Sequence, residues 1–287
     1  MDEQVKIKKD GLSATIDFIG AELVGLEYNG REYIWQGDEK SWTGHAPVLF
    51  PVCGGLKWDT YFLNGKGYPQ QKHGFARKQK FVLKEKTENS ATFLLSDTPD
   101  TRKGFPFAFD FLITYALEGK SLTVEYRVKN KSEDTMYLTI GAHEGYALYD
   151  DFENYSILFD KSEELDSYVL DGNLLTHERV NYGKDTKELP LSYEYFAVDA
   201  TVFKDIVSRK VWLSHKTAGK VLSVEFGDFK HLLLWTKLGA RYICIEPWSA
   251  LQDFVDAEPY IALKPNVTTI DGGNERTWKH KITIEKE

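Results

Sequence analysis

The sequence predicts an all-β protein, a large antiparallel β-sandwich or barrel. Many short segments alternate apolar and polar residues, the period-2 pattern of half-buried strands. Between them fall Asn29-Gly30, Asn64-Gly65 and Asp171-Gly172, pairs suited to hairpin turns that need positive φ. Helical periodicity is weak throughout. Aromatic residues reach 14%, with 16 Tyr and 17 Phe, and pleated sheets pack such side chains well.

In chain order, Ala14–Phe18 alternates cleanly. Leu26–Tyr28 and Arg31–Trp35 flank Asn29-Gly30 as a hairpin. Glu118-Gly119 is expected to turn between Phe111–Tyr115 and Leu122–Tyr126. Further strands are expected at Thr92–Leu95, Tyr137–Ile140, Val211–Ser214, Leu222–Phe226, Leu232–Trp235 and Lys281–Ile284. Helical turns are expected, if anywhere, at Asp199–Val207 and Ser249–Phe254. Val180–Leu191 is the most polar stretch and reads as a surface loop. No repeat, low-complexity segment or composition shift marks a linker, so residues 1–287 read as one domain; all-β domains of ~200–250 residues are common.

The formal charge of −8 disfavours polyanions, and the densest basic run, Lys6-Ile7-Lys8-Lys9, reads as a solvated strand end. Cys53 and Cys244 fit no zinc or C-x-x-C spacing and read as free buried thiols of a reducing compartment. Met1–Val5 has no apolar stretch of signal-peptide type, and no apolar run reaches the ~18–20 residues of a membrane helix. A cytoplasmic protein is expected, with no nucleic-acid or membrane partner.

Three segments are unusual for purely structural strands. Gln71-Lys72-His73-Gly74-Phe75-Ala76-Arg77 carries a histidine beside a glycine that admits close backbone approach. Gly141-Ala142-His143-Glu144-Gly145-Tyr146 flanks a histidine with glycines. Arg241–Trp248 alternates so that Ile243 and Ile245 share one face while Tyr242, Cys244 and Glu246 share the other. Pro247 should end this strand near Glu246, because it cannot donate to the ladder. Each has a plain alternative: a solvated loop histidine, a satisfied core histidine, an edge carboxylate. Two histidines and a glutamate could also hold non-haem iron, but the usual short His-x-His or His-x-Asp spacing is missing. A glycosidase pair lacks an equally suggestive second carboxylate, Asp199 and Asp253 being the nearest offers. Neither a G-x-S-x-G elbow nor a phosphate-cradling P-loop occurs.

Four motifs carry a family resemblance: Pro51-Val52-Cys53-Gly54-Gly55-Leu56-Lys57, His73-Gly74-Phe75-Ala76-Arg77, Gly141-Ala142-His143 and Ile245-Glu246-Pro247-Trp248. Their order and spacing resemble aldose 1-epimerases of the galactose mutarotase-like superfamily, above all its bacterial lactose-operon protein X branch. The likeness spans nearly the whole chain. It implies a single-domain supersandwich with its site in a concave sheet face, and neither metal nor organic cofactor. Carried residue by residue, it makes His143 the general acid and Glu246 the general base. His73 would hold the region of the sugar ring oxygen, and Asp199 would bind hydroxyls. One position departs: where the family usually has Arg after the Pro-x-x-Gly glycine, this chain has Gly55, and Lys57 or Arg77 is expected to supply the charge.

The implied reaction interconverts the α and β anomers of a hexose. A glutamate near pKa ~4.3 would be ionised at neutral pH and a histidine near ~6.5 could donate a proton. Phe75, Tyr146 or Trp248 could stack on the sugar, against core packing as the ordinary role of an aromatic. The partner is a small sugar, with the protein a monomer or homodimer. Two other readings stay open: a non-catalytic carbohydrate sensor, favoured by Gly55 and opposed by the acid–base set, and a hexose-6-phosphate mutarotase, with Arg77 pairing the phosphate.

Overall fold

The structure, a computed structural model, describes residues 3–285; Met1 and Asp2 of the N-terminal stretch read above lie outside them. Among the described residues the regular structure is almost entirely strand, and the α-helix Thr101–Gly104 is a single turn. No helix there is long and apolar enough to cross a membrane.

Two large antiparallel sheets dominate. One has nine strands, in the spatial order Thr186–Pro190, Tyr155–Glu163, Lys210–His215, Gly219–Glu225, Glu275–Ile284, Ser121–Asn130, Phe109–Glu118, Ser90–Ser96 and Val82–Lys86. The other has six: Glu144–Ala147, Tyr242–Trp248, His231–Trp235, Thr201–Phe203, Asp166–Asp171 and Leu174–Asn181. A four-stranded sheet opens the chain with Gln4–Lys9, Leu12–Asp17, Leu23–Tyr28 and Arg31–Glu32. The main apolar core draws Phe93, Phe111, Ile113, Tyr126 and Ile282 from the first sheet, Ile243, Ile245 and Leu234 from the second, and Ile7 and Ile16 from the N-terminal one. Sheets that are each apolar on one face can bury it only against one another, which makes the sandwich.

Turn chemistry set the hairpins. Asn29 and Gly30 take φ of 49° and 84°, and Asn64 and Gly65 take 50° and 76°, as their turns require. In Phe109–Glu118 every second residue is buried, so its period is the one the sequence shows.

Three expectations change. Val180–Leu191 is not a loop throughout: Leu174–Asn181 and Thr186–Pro190 are strands at the margins of their sheets, polar because so much of their surface meets water. Asp199–Val207 holds no helical turn; Thr201–Phe203 is a strand buried on all sides, and the nearest helical turn is the 3₁₀ segment Tyr193–Phe196. Ser249–Phe254 is irregular rather than helical, drawn out by bonds to other segments.

Candidate active site

Tyr242–Trp248 is paired on both sides, with His231–Trp235 and with Glu144–Ala147, and all seven of its residues are buried. Its alternation is as the sequence implies: Ile243 and Ile245 enter the main core, while Tyr242 and Cys244 pack with Trp35, Trp42 and Trp235 on the other face. The strand does not end at Pro247, which pairs opposite Leu232. It is tolerated because the strand on the other side stops opposite Ile245, leaving no regular ladder for the missing N–H.

His143 stands directly before Glu144–Ala147, opposite this end of the central strand. Its Nε2 lies 3.4 Å from the Glu246 Oε2. Glu144, one residue on, faces the opposite way and meets His280 Nε2 at 2.9 Å inside the sandwich. His73 arrives on a tight turn with φ of 69°. Gly74 makes that turn possible: a Cβ there would lie 2.2 Å from the Phe50 carbonyl oxygen. The Gly54 N–H donates to His73 Nδ1 at 3.1 Å, and the His73 N–H donates to the Gly54 carbonyl at 2.9 Å. With Nδ1 accepting, a neutral His73 carries its proton on Nε2 and offers a donor. The His73 ring sits edge-on to His143 and to Trp248, at centroid distances of 5.6 and 5.5 Å.

These groups line a cavity of about 510 Å³ together with Trp42, Lys72, Arg77, Asp199, Trp235 and Gln252. Burial pushes the Glu246 carboxyl well above the usual carboxylate range, against the pull of Lys72. Burial likewise drives His143 down to about 3, helped by the charges of Lys72 and Arg77, and depresses His73, helped by His143. Both shifts run against the expected protonation: burial favours a protonated Glu246 carboxyl and a neutral His143 imidazole. The two groups are direct neighbours. Burial explains both shifts, since a dry site penalises each charged form.

One atom from each of His143, Cys244 and Glu246 falls within 4.8 Å of the others, a donor set different from the two-histidine one considered above. Burial holds the Cys244 thiol well above its ordinary pKa, which opposes the thiolate a metal would need.

Asp199, Arg77 and Trp248 reach the cavity wall with the two histidines and Glu246. Lys57 does not; its ammonium lies over the Trp58 ring at 4.8 Å. Phe75 packs edge-on to Phe50 at the margin of the main core, and Tyr146 is fully buried within it, so core packing claims both aromatics. Gly55 is sealed off as well. A Cβ there would come within 2.7 Å of the Asn173 Cβ and 2.8 Å of its carbonyl oxygen, so no arginine fits. Lys72, Trp42, Trp235 and Gln252 were missed. Lys72 adjoins His73 and pairs with Asp199 at 3.5 Å, so the neighbouring position was a usable signal. Trp42 stacks obliquely on His143 at 5.4 Å from a loop that has no periodicity to read.

Comparison with known proteins agrees with this architecture. The profile of the aldose 1-epimerase family matches residues 3–283. The chromosomal LacX protein of Lactococcus lactis subsp. lactis is 33% identical over 98% of this chain and 99% of its own. A galactose mutarotase related enzyme from Lactobacillus acidophilus superimposes with a TM-score of 0.91 at 30% identity, covering 99% of this chain and 97% of that one. A galactose mutarotase-like protein from Lactobacillus casei gives the same TM-score at 27% identity, over 98% of this chain and 100% of that one. With a matching profile from near the first residue to near the last, and relatives aligned end to end, the chain belongs to the aldose 1-epimerase family.

Proposed function

We propose that the protein interconverts the α and β anomers of a hexose by acid–base ring opening at Glu246 and His143. The observation that carries this is their adjacency: a buried carboxyl and imidazole 3.4 Å apart on the wall of a sugar-sized cavity. The anomeric oxygen and the ring oxygen are bonded to the same carbon, so two neighbouring groups can address both at once. In the productive tautomer Glu246 is the carboxylate and His143 the imidazolium, one proton transfer away from the resting pair and eased by Lys72. Glu246 takes the anomeric hydroxyl proton, the C1–O carbonyl forms, and the C1–ring oxygen bond breaks. Its electron pair stays on the ring oxygen, which receives the His143 proton. Rotation about the bond from C1 to C2 and the reverse transfers close the other anomer. Each such group contributes roughly 10²–10⁴-fold.

His73 supports the ring oxygen region through its Nε2 donor, and Asp199, held by Lys72, accepts from hydroxyls. Trp248 gives an apolar wall. A second substrate, a phosphorylated hexose, is favoured by one observation: Lys72, Arg77 and Lys237 all border the cavity, and the Arg77 Nε is buried without a partner. Polarimetry of freshly dissolved α-glucose, α-galactose and glucose 6-phosphate tests both. Faster equilibration of a free sugar supports the first reading, and acceleration confined to the phosphate supports the second. Tight binding without any acceleration would make the protein a sensor and end the proposal.

A further inference from the structure

The segment after the central strand carries Gln252 into the cavity wall. It is pinned on both sides. Ser249 N–H donates to the Ile140 carbonyl, and Ser249 Oγ accepts from the Ile140 N–H, both at 2.9 Å. Asp253 N–H donates to the Gly55 carbonyl at 3.1 Å, and the Asp253 carboxylate accepts from Lys57 N–H at 2.9 Å and from Lys264 Nζ at 2.6 Å. Gln252 is thus presented by a fixed backbone, only 5% exposed. Its Cβ packs on Gly54, where an added Cβ would lie 2.4 Å away, so Gln252 sits against the turn that positions His73.

The Gln252 Oε1 is buried and has no hydrogen-bond partner. Leaving a buried carbonyl unsatisfied is destabilising, a cost that a methionine of similar volume would avoid. A polar side chain kept there without a protein partner points to a partner that comes and goes. We infer that Gln252 is a specificity-determining residue that hydrogen-bonds one hydroxyl of the bound sugar away from its anomeric carbon. The inference rests on the proposed sugar site and deepens it by naming which wall of the pocket reads the substrate's hydroxyl pattern. The last torsion of a glutamine side chain is broad, so a turn about it brings the carbonyl to the cavity. Glu246 and His143 are committed to the two oxygens on C1, which leaves a more distant hydroxyl for Gln252. A site that holds a buried acceptor for a hydroxyl rejects the analogue lacking it, because the acceptor is again left unpaired.

The test compares the wild-type protein with Gln252→Met and Gln252→Ala, on glucose and galactose and on their monodeoxy analogues that each lack one non-anomeric hydroxyl. Equilibration is read by polarimetry and affinity by calorimetry. For one analogue the wild type is expected to lose about 10-fold or more in kcat/KM. That loss should shrink to within about 2-fold in the variants, while the other analogues keep their wild-type ratios. Comparing ratios cancels the intrinsic reactivity of each analogue, and either variant suffices if the other fails to fold. Unchanged discrimination for every analogue in a folded variant overturns the inference while leaving the epimerase reading intact. If the wild type binds these sugars without accelerating equilibration, the epimerase reading falls, and the same ratios taken from dissociation constants decide the role of Gln252. If it neither binds nor converts any of them, both fall.

Discussion

At the scale of single residues, Glu246→Gln is expected to abolish mutarotation and leave sugar affinity within a few-fold. The amide keeps the shape and one acceptor but cannot take the anomeric proton. His143→Asn should behave alike, and the double variant should be little slower than either single one, because both serve one proton relay. Turnover by polarimetry beside affinity by calorimetry checks this; near-normal turnover in Glu246→Gln would sink the mechanism. Burial also sets the pH profile. His143 gains a proton only near its depressed pKa of about 3, and Glu246 gives one up only above the carboxylate range. The acid limb of the kcat/KM profile should therefore lie near the depressed pKa of His143 rather than at the ~6.5 of an ordinary histidine, and the alkaline limb should be set by Glu246, above the ordinary carboxylate value. Gly55→Arg, which would raise sugar affinity if the family arginine fitted here, is instead expected to cost about 1–3 kcal/mol in stability by overpacking against Asn173. A urea titration reads the cost.

Among the elements, Glu144–Ala147 does two jobs through alternation. It stands beside the strand that carries Glu246 and sends the Glu144 carboxylate into the core to the His280 imidazole of Glu275–Ile284. Removing one partner of such a buried pair commonly costs 3–5 kcal/mol, and a well-packed apolar pair often restores most of it. His280→Ala should lower stability by about that amount, whereas Glu144→Met with His280→Leu should lose much less; equal losses would show that the hydrogen-bonded pair is not what matters. The same alternation decided how much the sequence disclosed. Phe109–Glu118, Ser121–Asn130 and Tyr242–Trp248 were legible because one face or one partner repeats every second residue. Thr201–Phe203 was not, since burial on both faces erases the period, and the polar margins of Leu174–Asn181 and Thr186–Pro190 imitate a loop. His73, His143 and Glu246 stood out by flanking glycines and strand phase, and the structure places them around one cavity. Gln252, Trp42 and Trp235 reach it only through tertiary folding. Nothing local distinguishes them, just as nothing local shows that Lys57 and Phe75 turn elsewhere.

For the whole molecule, burial of neutral histidines links stability to acidity. His73, His143 and His231 all have depressed pKa values, with burial the largest cause in each, reaching about 3 for His143 and about 4 for His231. Below the unfolded-state value of ~6.5 the unfolded chain takes up protons that the folded one refuses, so stability falls as pH falls. Glu246, whose carboxyl burial raises above its unfolded value, works in the opposite sense. With three histidines against one carboxyl, the net trend between pH ~6 and ~4.5 should be a loss of stability on acidification. Urea midpoints measured at pH 7, 6 and 5 check it, and a flat series would mean that these imidazoles are charged in the folded protein. The distribution of tryptophan has an optical consequence. Of the seven in the chain, Trp42, Trp235 and Trp248 stand around His143 and His73, with Trp42 and Trp235 ring centroids 5.4 and 5.9 Å from that of His143. An imidazolium quenches a neighbouring indole more strongly than a neutral imidazole does. The intrinsic fluorescence of the protein should thus dim as a sugar draws a proton onto His143, giving a label-free signal of the protonation step itself.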